Sequence, residues 1–400
     1  MLDAYIYDGL RTPFGRHAGA LSRVRPDDLL ADVMKAVVGR SGFAPETIDD
    51  VSIGCVCQAG EDSRNVSRHA LLLAGLPVET PGMVHNRLCG SGLNALIGAA
   101  HAITCGEADV AVAGGVESMT RAPFVVAKSE QAFGKAFTVF DSSLGARFPN
   151  PKIESAFGAD TMPETADNLA RDHQLSREDC DRFALGSQQK FARAKAEGFF
   201  AGEIRPVTLP GTKGRPDTVV SEDEHPRPDT SMESLQKLRP LYAGGVTTAG
   251  NASGINDGAA VLMVASRDAG ERAGSKPIAR VIASGVAGVP PRVMGFGPVP
   301  AARKALERAG LDLKEMDVIE INEAFAAQVL ACLKGLGLPF NDSRVNPNGG
   351  AIAVGHPLGA SGARLALTAA RQLQRSGGRY ALVSMCIGVG QGIAVILERV

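Results

Sequence analysis

Apolar residues along this 400-residue chain recur at two spacings, one of strands and one of helices. Val51–Gly54 is a short apolar run of strand length. From Leu88 to Gly106, residues Leu93, Leu96, Ile97, Ala100 and Ile103 mark one face of a helix, and Gly106 supplies its stop. Asp109–Ala113 predicts a buried strand, closed by Gly114 and Gly115. The last third repeats this character. Ile278–Ala283, Asp317–Ile321 and Tyr380–Ser384 read as strands. A small-residue helix is predicted over Glu323–Leu333, and glycines punctuate Cys386–Gly392.

The middle of the chain, from about Arg121 to Pro240, is richer in charge and proline. A helix is predicted over Glu164–Arg171. A longer one begins at Ser176, with Asp179 completing a capping box and Gly198 as the stop. Glu203–Arg239 holds many prolines and reads as a long surface loop, either a plain insertion or a substrate-binding flap. The outer thirds resemble each other. Met83–Asn94 pairs with Val318–Gln328, and Val110–Gly115 with Leu382–Gly388. This predicts a duplicated α/β unit with an inserted middle.

Composition narrows the function classes. Lys and Arg number 42 against 43 for Asp and Glu, so no bulk charge favours nucleic acid or an anionic membrane. The N-terminal residues lack the basic-then-apolar order of a signal peptide, and no uninterrupted apolar run reaches membrane length. The seven cysteines form no CxxC pair and no metal-ligand spacing with histidine, so no metal is expected. Free thiols in a reducing cytoplasm are expected instead.

Four segments could carry chemistry. In Asn86-Arg-Leu-Cys-Gly-Ser-Gly92, Cys89 sits at the start of a predicted helix. Unpaired backbone N–H groups and the helix dipole there should lower a thiol pKa, and Gly90 and Gly92 should leave the approach uncrowded. Cys89 is then a nucleophile or a structural cysteine. His356 lies on a turn set by Gly355 and Pro357, which suits a base or an oxyanion donor. A surface histidine is the alternative. Cys386 ends a strand before Gly388, Gly390 and Gly392. Too few residues follow for a dinucleotide-binding unit, so a second reactive thiol or a buried strand cysteine remains. Asn322 stands where a strand becomes a helix, either as a cap or holding a water. Together these side chains could break a carbon–carbon bond next to a thioester. A thiolate attacks the carbonyl, an oxyanion hole holds the enolate, and a second thiol supplies the proton.

In this order, Asn86–Gly92, Asn322-Glu-Ala-Phe-Ala326, Gly355-His-Pro357 and Cys386–Gly392 resemble the motifs of the thiolase family. Arg11–Gly15, Gly114-Gly-Val-Glu-Ser-Met119 and Thr248–Gly254 extend the resemblance over essentially the whole chain. It implies a duplicated α/β fold, a five-layer α-β-α-β-α core with an inserted loop domain. Its divisions would be 1–121 with 255–275, the insertion 122–254, and 276–400. It implies that Cys89 is acylated, that His356 activates it, and that Asn322 holds a water beside His356 in one oxyanion hole. Cys386 would move the proton, and the N–H groups of Cys89 and Gly388 would form a second hole.

The same resemblance implies coenzyme A as co-substrate, with no permanently bound cofactor. Arg227, Ser234, Ala249 and Ser253 match its contacts, Tyr242 an aromatic beside it, and Met162, Met294 and Phe325 the acyl end. Glu61–Val66, Phe148–Pro151 and Met162–Asn168 look like the 3-oxoadipyl-CoA thiolases of aromatic catabolism, where a far carboxylate needs a cation. Arg147 and Lys152 are candidates. An acetoacetyl-CoA or general 3-ketoacyl-CoA thiolase is the alternative. A decarboxylating condensing enzyme would carry histidine in place of Cys386. A non-catalytic lipid-binding relative, or a papain-like hydrolase, fits the four motifs less well. Relatives form homodimers or homotetramers. His85, four residues before Cys89, departs from the apolar residue expected there.

Overall fold

The computed structural model describes residues 1–211 and 214–400. The first part comprises β1 (Ala4–Arg11), β2 (Gly15–Arg16), α1 (Pro26–Ser41), β3 (Asp50–Gly54), α2 (Val66–Leu73), β4 (Gly82–His85), α3 (Ser91–Cys105) and β5 (Val110–Ser118). The middle part holds β6 (Phe124–Val126), β7 (Val139–Asp141), α4 (Pro151–Phe157), α5 (Met162–His173), α6 (Arg177–Ala196), β8 (Val207–Leu209), β9 (Thr218–Val220) and α7 (Met232–Gln236). Then come β10 (Asn256–Ala265), α8 (Arg267–Ala273), β11 (Ala279–Gly288), α9 (Pro298–Ala309), β12 (Val318–Ile321), α10 (Ala326–Leu336), α11 (Ala351–Val354), α12 (Leu358–Ser376), β13 (Tyr380–Ile387) and β14 (Gln391–Arg399).

Among the described residues, one sheet runs β12-β13-β14-β11-β1-β10-β5-β3-β4, with β2 beside β10. Its two halves meet where β1 pairs β11 through Ala4–Ile6. Each half repeats one pattern. From the junction outward, β1-β10-β5 is antiparallel and β5-β3-β4 parallel. Likewise β11-β14-β13 is antiparallel, β13-β12 parallel, and a parallel bridge Ile319–Val345 stands where the fifth strand would be. The inner faces bury Ala111, Ala113, Val383 and Met385 against α3 and α12. The outer faces pack on α1 and α2 in one half and on α9 and α10 in the other. Five layers result.

The Leu88–Cys105 stretch is long and apolar enough to cross a membrane by length and composition alone. Here it is the central-layer helix, with Leu93, Leu96 and Ala100 fully buried. Its apolar face exists to meet α12 and both sheet halves.

Locally encoded features match the sequence reading. Ser176 and Asp179 form the capping box of α6, and Gly106 ends α3 in the left-handed conformation. Features that depend on distant contacts depart from it. β5 runs through Gly114 and Gly115 to Ser118 instead of stopping. A Cβ on Gly115 would lie 1.9 Å from the Gly359 oxygen, so these glycines admit a close neighbour and break nothing. The Glu203–Arg239 region contains the β8–β9 hairpin and α7, with Thr212 and Lys213 outside the described residues. The duplication also pairs differently. By strand order β12 corresponds to β3, and α12 to α3, so Val318–Gln328 is not the partner of Met83–Asn94.

The stretch between β5 and β10 adds no strand to the large sheet. Arg11 on β1 fastens it. Its fully buried guanidinium pairs with Glu203 and Asp223, each at 2.6 Å. Removing one partner from such a pair costs about 3–5 kcal/mol.

Candidate active site

The Cys89 turn is built by its own polar groups. Asn86 Oδ1 accepts the Leu88 N–H at 3.0 Å. Ser91 Oγ accepts the Arg87 N–H at 2.9 Å and donates to the Leu88 carbonyl. This network holds Leu88 at φ 45°, a conformation costly for a branched side chain and typical of a functional turn. The glycines serve packing. A Cβ on Gly90 would strike Ile387, and one on Gly92 would lie 2.4 Å from the Gly359 oxygen. Gly92 thus lets the N-terminal ends of α3 and α12 meet, which brings the Cys89 and His356 turns together.

The Cys89 thiol sits above its ordinary pKa, contrary to the expectation from its helix position. Burial is the main cause. The Gly388 N–H, and then the Cys89 N–H, act in the opposite sense but do not overcome it. Cys89 therefore needs a base. The same two N–H groups converge on the sulfur, close to where the oxygen of an acyl group carried on it would lie.

His356 is buried, not a surface residue. Its Nδ1 lies 2.6 Å from Ser361 Oγ, whose single proton goes to the Pro357 carbonyl at 2.9 Å. Nδ1 must then carry the hydrogen, and Nε2 presents its lone pair. Nε2 faces Asn322 Nδ2 at 3.3 Å. Burial, then Arg364, depresses the imidazole pKa to about 3, so His356 is neutral and can accept a proton. Its backbone N–H is anchored on Asn256 Oδ1 at 2.8 Å.

Asn322 does not cap a helix. Residues 322–325 stay outside the helix because Ser253 N–H bonds the Ala324 carbonyl and Ala326 N–H bonds the Asn251 carbonyl. α10 therefore starts at Ala326, and the Asn322 side chain is left in the site with a buried Oδ1 that has no protein partner. Such an atom suits a bound water. The Asn322 N–H bonds the Ser384 carbonyl at 3.0 Å, which places it two residues from Cys386. Cys386 is buried on β13. Burial, then the nearby Cys89 and Cys332 thiols, push its pKa well above the ordinary thiol value. It is a thiol at neutral pH, a proton donor that regains its proton readily.

Of the acyl-end residues, Met162 lies beside Gly388, with its sulfur 3.8 Å from where a Gly388 Cβ would be. Met294 and Phe325 are buried in the core cluster that holds Cys386. Ser253 joins the Asn322–Phe325 segment through its backbone, and Ala249 lies exposed in the same Thr248–Gly254 loop. Tyr242 stands at the rim, its hydroxyl accepting from Thr161 Oγ1 at 2.9 Å. Arg227 and Ser234 are exposed. Arg227 N–H bonds Gln188 Oε1, and Ser234 Oγ donates to the Ser231 carbonyl. Lys152 is exposed in the first turn of α4, whereas half-buried Arg147 donates to the Cys57 carbonyl. His85 points along α3, with Nδ1 2.9 Å from Asn94 Nδ2 and its ring against Gly98.

Three supporting residues had weak sequence signals. Ser361 lies in a Gly-Ala-Ser-Gly run, and Asn256 begins β10. Glu117, within the Gly-Gly-Val-Glu-Ser-Met stretch, is buried and accepts N–H groups of Cys57, Val56 and Gly359 at 2.9–3.1 Å. It ties the loop after β3 to the turn that carries His356. All seven cysteines are free thiols. Among the described residues, no group of three His, Cys, Asp or Glu side chains could hold a metal.

Family models place this geometry among known proteins. Residues 4–268 match the thiolase N-terminal domain and residues 275–399 the thiolase C-terminal domain. The chain is 57% identical over 402 residues to the beta-ketoadipyl-CoA thiolase of Acinetobacter baylyi, covering 100% of both chains. It is 57% identical over 402 residues, again 100% of both, to the 3-oxoadipyl-CoA/3-oxo-5,6-dehydrosuberyl-CoA thiolase of Escherichia coli. It superposes on human mitochondrial 3-ketoacyl-CoA thiolase in complex with CoA with a TM-score of 0.91 and 41% identity, covering 100% of this chain and 98% of that one. The chain belongs to the thiolase family of acyltransferases.

Proposed function

We propose that this protein cleaves 3-oxoadipyl-CoA with coenzyme A, giving succinyl-CoA and acetyl-CoA, through an acyl-Cys89 intermediate. The observation that carries the reading is the nearness of two unlike thiols, Cys89, whose sulfur takes the Gly388 N–H, and Cys386 beside it. His356 Nε2 takes the Cys89 proton, and the sulfur attacks the 3-keto carbon. The C2–C3 bond breaks, its electron pair passes to the acetyl-CoA enolate, and Cys386 protonates that carbon. Asn322, a water it holds and His356 serve the enolate oxygen. The Gly388 and Cys89 N–H groups serve the oxygen on the acyl-cysteine. Incoming CoA gives its thiol proton to Cys386 and takes the succinyl group. Arg227, Ser234, Ala249, Ser253 and Tyr242 would lie along CoA, within a loop domain spanning 122–254. Met162, Met294 and Phe325 would border the reacting end.

The identity to proteins named for this substrate supports the acyl chain, and aromatic catabolism fits the same names. Free thiols support a reducing, cytoplasmic setting. A homodimer or homotetramer is part of the same reading. The edge strand β4 leaves Met83 46% exposed, and Phe124, Phe133 and Phe137 are exposed between β5 and α4. Intact-mass measurement after mixing with 3-oxoadipyl-CoA, without free CoA, should show a succinyl adduct on the wild type and none on Cys89→Ala. An adduct on that variant refutes the intermediate. Faster thiolysis of acetoacetyl-CoA or a medium-chain 3-ketoacyl-CoA than of 3-oxoadipyl-CoA refutes the substrate.

A further inference from the structure

The segment from β7 to α5 touches the surroundings of the site at two points. At one end, Met162 lies beside Leu88 and Gly388. At the other, Arg147 donates from Nη1 and Nη2 to the Cys57 carbonyl, each at 3.2 Å. Cys57 belongs to the loop that touches the nucleophile turn. The neighbouring Val56 carbonyl accepts Asn86 Nδ2 at 3.3 Å, and Val56 N–H and Cys57 N–H bond Glu117. The Arg147 region is fixed on this loop. Ser142 Oγ lies 3.8 Å from Cys57 Sγ and donates to the Pro123 carbonyl, while Phe148 packs edge-on against Phe140 with centroids 4.8 Å apart.

Arg147 belongs with Arg68, Arg193, Arg303, Arg308 and Arg399, which donate to carbonyls, and not with the arginines that pair with carboxylates. Arg11, Arg25, Arg40, Arg121, Arg177 and Arg292 each pair with a carboxylate. Among the described residues, Arg147 has a carbonyl as its only partner. A half-buried guanidinium satisfied only by a carbonyl retains donors and charge for an anion. The nearby carboxylates do not compete for it. Glu117 is occupied by three backbone N–H groups, and Asp62 accepts the Gly60 N–H and faces Cys55 Sγ. Lys152 is the weaker candidate, because it is exposed in the first turn of α4.

We infer that Arg147 is a specificity-determining residue that binds the distal carboxylate of a dicarboxylic acyl chain carried on Cys89. The inference rests on the dicarboxylate reading of the substrate proposed above. The Cys57 carbonyl holds the guanidinium on the loop whose Val56 carbonyl accepts Asn86 Nδ2 of the nucleophile turn, and in this inference the far end of a four-carbon acyl chain reaches it there. A neutral chain of the same length gains nothing from this contact.

The test uses full-length wild type, Arg147→Ala and Arg147→Lys, with 3-oxoadipyl-CoA, 3-oxohexanoyl-CoA and acetoacetyl-CoA. For Arg147→Ala, kcat/KM on 3-oxoadipyl-CoA should fall about 30- to 100-fold, the scale of one charge-assisted contact. Its rates on the two neutral substrates should stay within about 3-fold of wild type, which also reports that the site is intact. Arg147→Lys should recover part of the loss. An equal fall on all three substrates makes Arg147 a structural prop for Cys57 and overturns the inference, as does no fall on any. A wild type that prefers a neutral substrate refutes the substrate reading itself, an outcome read before any variant is made.

Discussion

The two halves of the sheet end differently at equivalent positions. Ile53 pairs with Gly114 in the first half, and Ile321 with Ser384 in the second. The next residue along the short strand is Gly54 in one half and Asn322 in the other. Two residues along the longer strand stand Val116 and Cys386. In the first half these places are filled by packing. A Cβ on Gly54 would lie 2.3 Å from the Gly92 nitrogen, and Val116 is fully buried among outer-face apolar residues. In the second half the same places hold an amide with an unpartnered oxygen and a buried thiol. The first half contributes Cys89 through a helix turn and keeps its strand ends closed. The same scaffold thus occurs twice, and under the proposed mechanism the chemistry of the strand ends belongs to one copy.

The comparison breaks most sharply at Cys386 and Val116. Cys386→Ala should lower thiolysis by about 10³- to 10⁴-fold, the upper range for loss of a positioned proton donor. Acylation of Cys89 by a simple thioester should survive, because that step needs no carbon acid. Val116→Ala should leave kcat within about 3-fold while costing about 1–3 kcal/mol in urea unfolding. Thiolysis by Cys386→Ala at the wild-type rate would remove the distinction between the halves. Asn322→Ala comes next, with a loss of about 10²- to 10³-fold in kcat, as for removal of one oxyanion donor. KM should change little. A loss confined to KM would make Asn322 a binding residue only.

What the sequence revealed divides along the same line as local and distant causes. The α6 capping box and the stop at Gly106 are set by residues within a turn of each other, and both are readable. The Cys89, His356 and Cys386 turns are readable because glycine and proline mark them. Asn322 is readable from its own residues only as a choice between cap and water holder, because the start of α10 is delayed by carbonyl and N–H groups of Asn251 and Ser253, some 70 residues earlier in the chain. The sign of the Cys89 shift is also hidden. A helix N-terminus can be recognised in a sequence, but the burial that outweighs it comes from the assembled core. Gly92 reads as clearance for the thiol and Gly115 as a strand stop until Gly359 is seen against both.

The pH response of His356 gives a smaller effect. Its folded pKa of about 3 lies below the value of about 6.5 for an unfolded histidine. Between these values the unfolded chain binds the extra proton, so this contribution to stability is complete above about pH 6.5 and is lost as pH falls toward 3. From pH 7 to pH 5, wild type should lose about 2 kcal/mol more than His356→Asn in urea unfolding. Equal losses in the two proteins would mean that the imidazole is solvated.

His85 carries the smallest expected effect and separates closeness in sequence from closeness in space. Asn94 Oδ1 accepts Arg87 Nε at 2.8 Å, which turns Asn94 Nδ2 toward His85 Nδ1. The His85 hydrogen is then on Nε2, which is buried without a partner, and the ring lies against Gly98 in the body of α3. Burial, the largest influence, lowers its pKa, so it adds no positive charge at neutral pH. The left-handed turn at Leu88 carries the chain away before Cys89 is reached. His85→Gln should therefore change the rate of Cys89 acylation by less than about 3-fold at pH 7, within the usual range for a substitution outside the site. A tenfold slowing with an unchanged unfolding midpoint would show that the Arg87–Asn94–His85 chain reaches the thiol, and that the first half tunes its nucleophile through the body of α3 as well as through the turn.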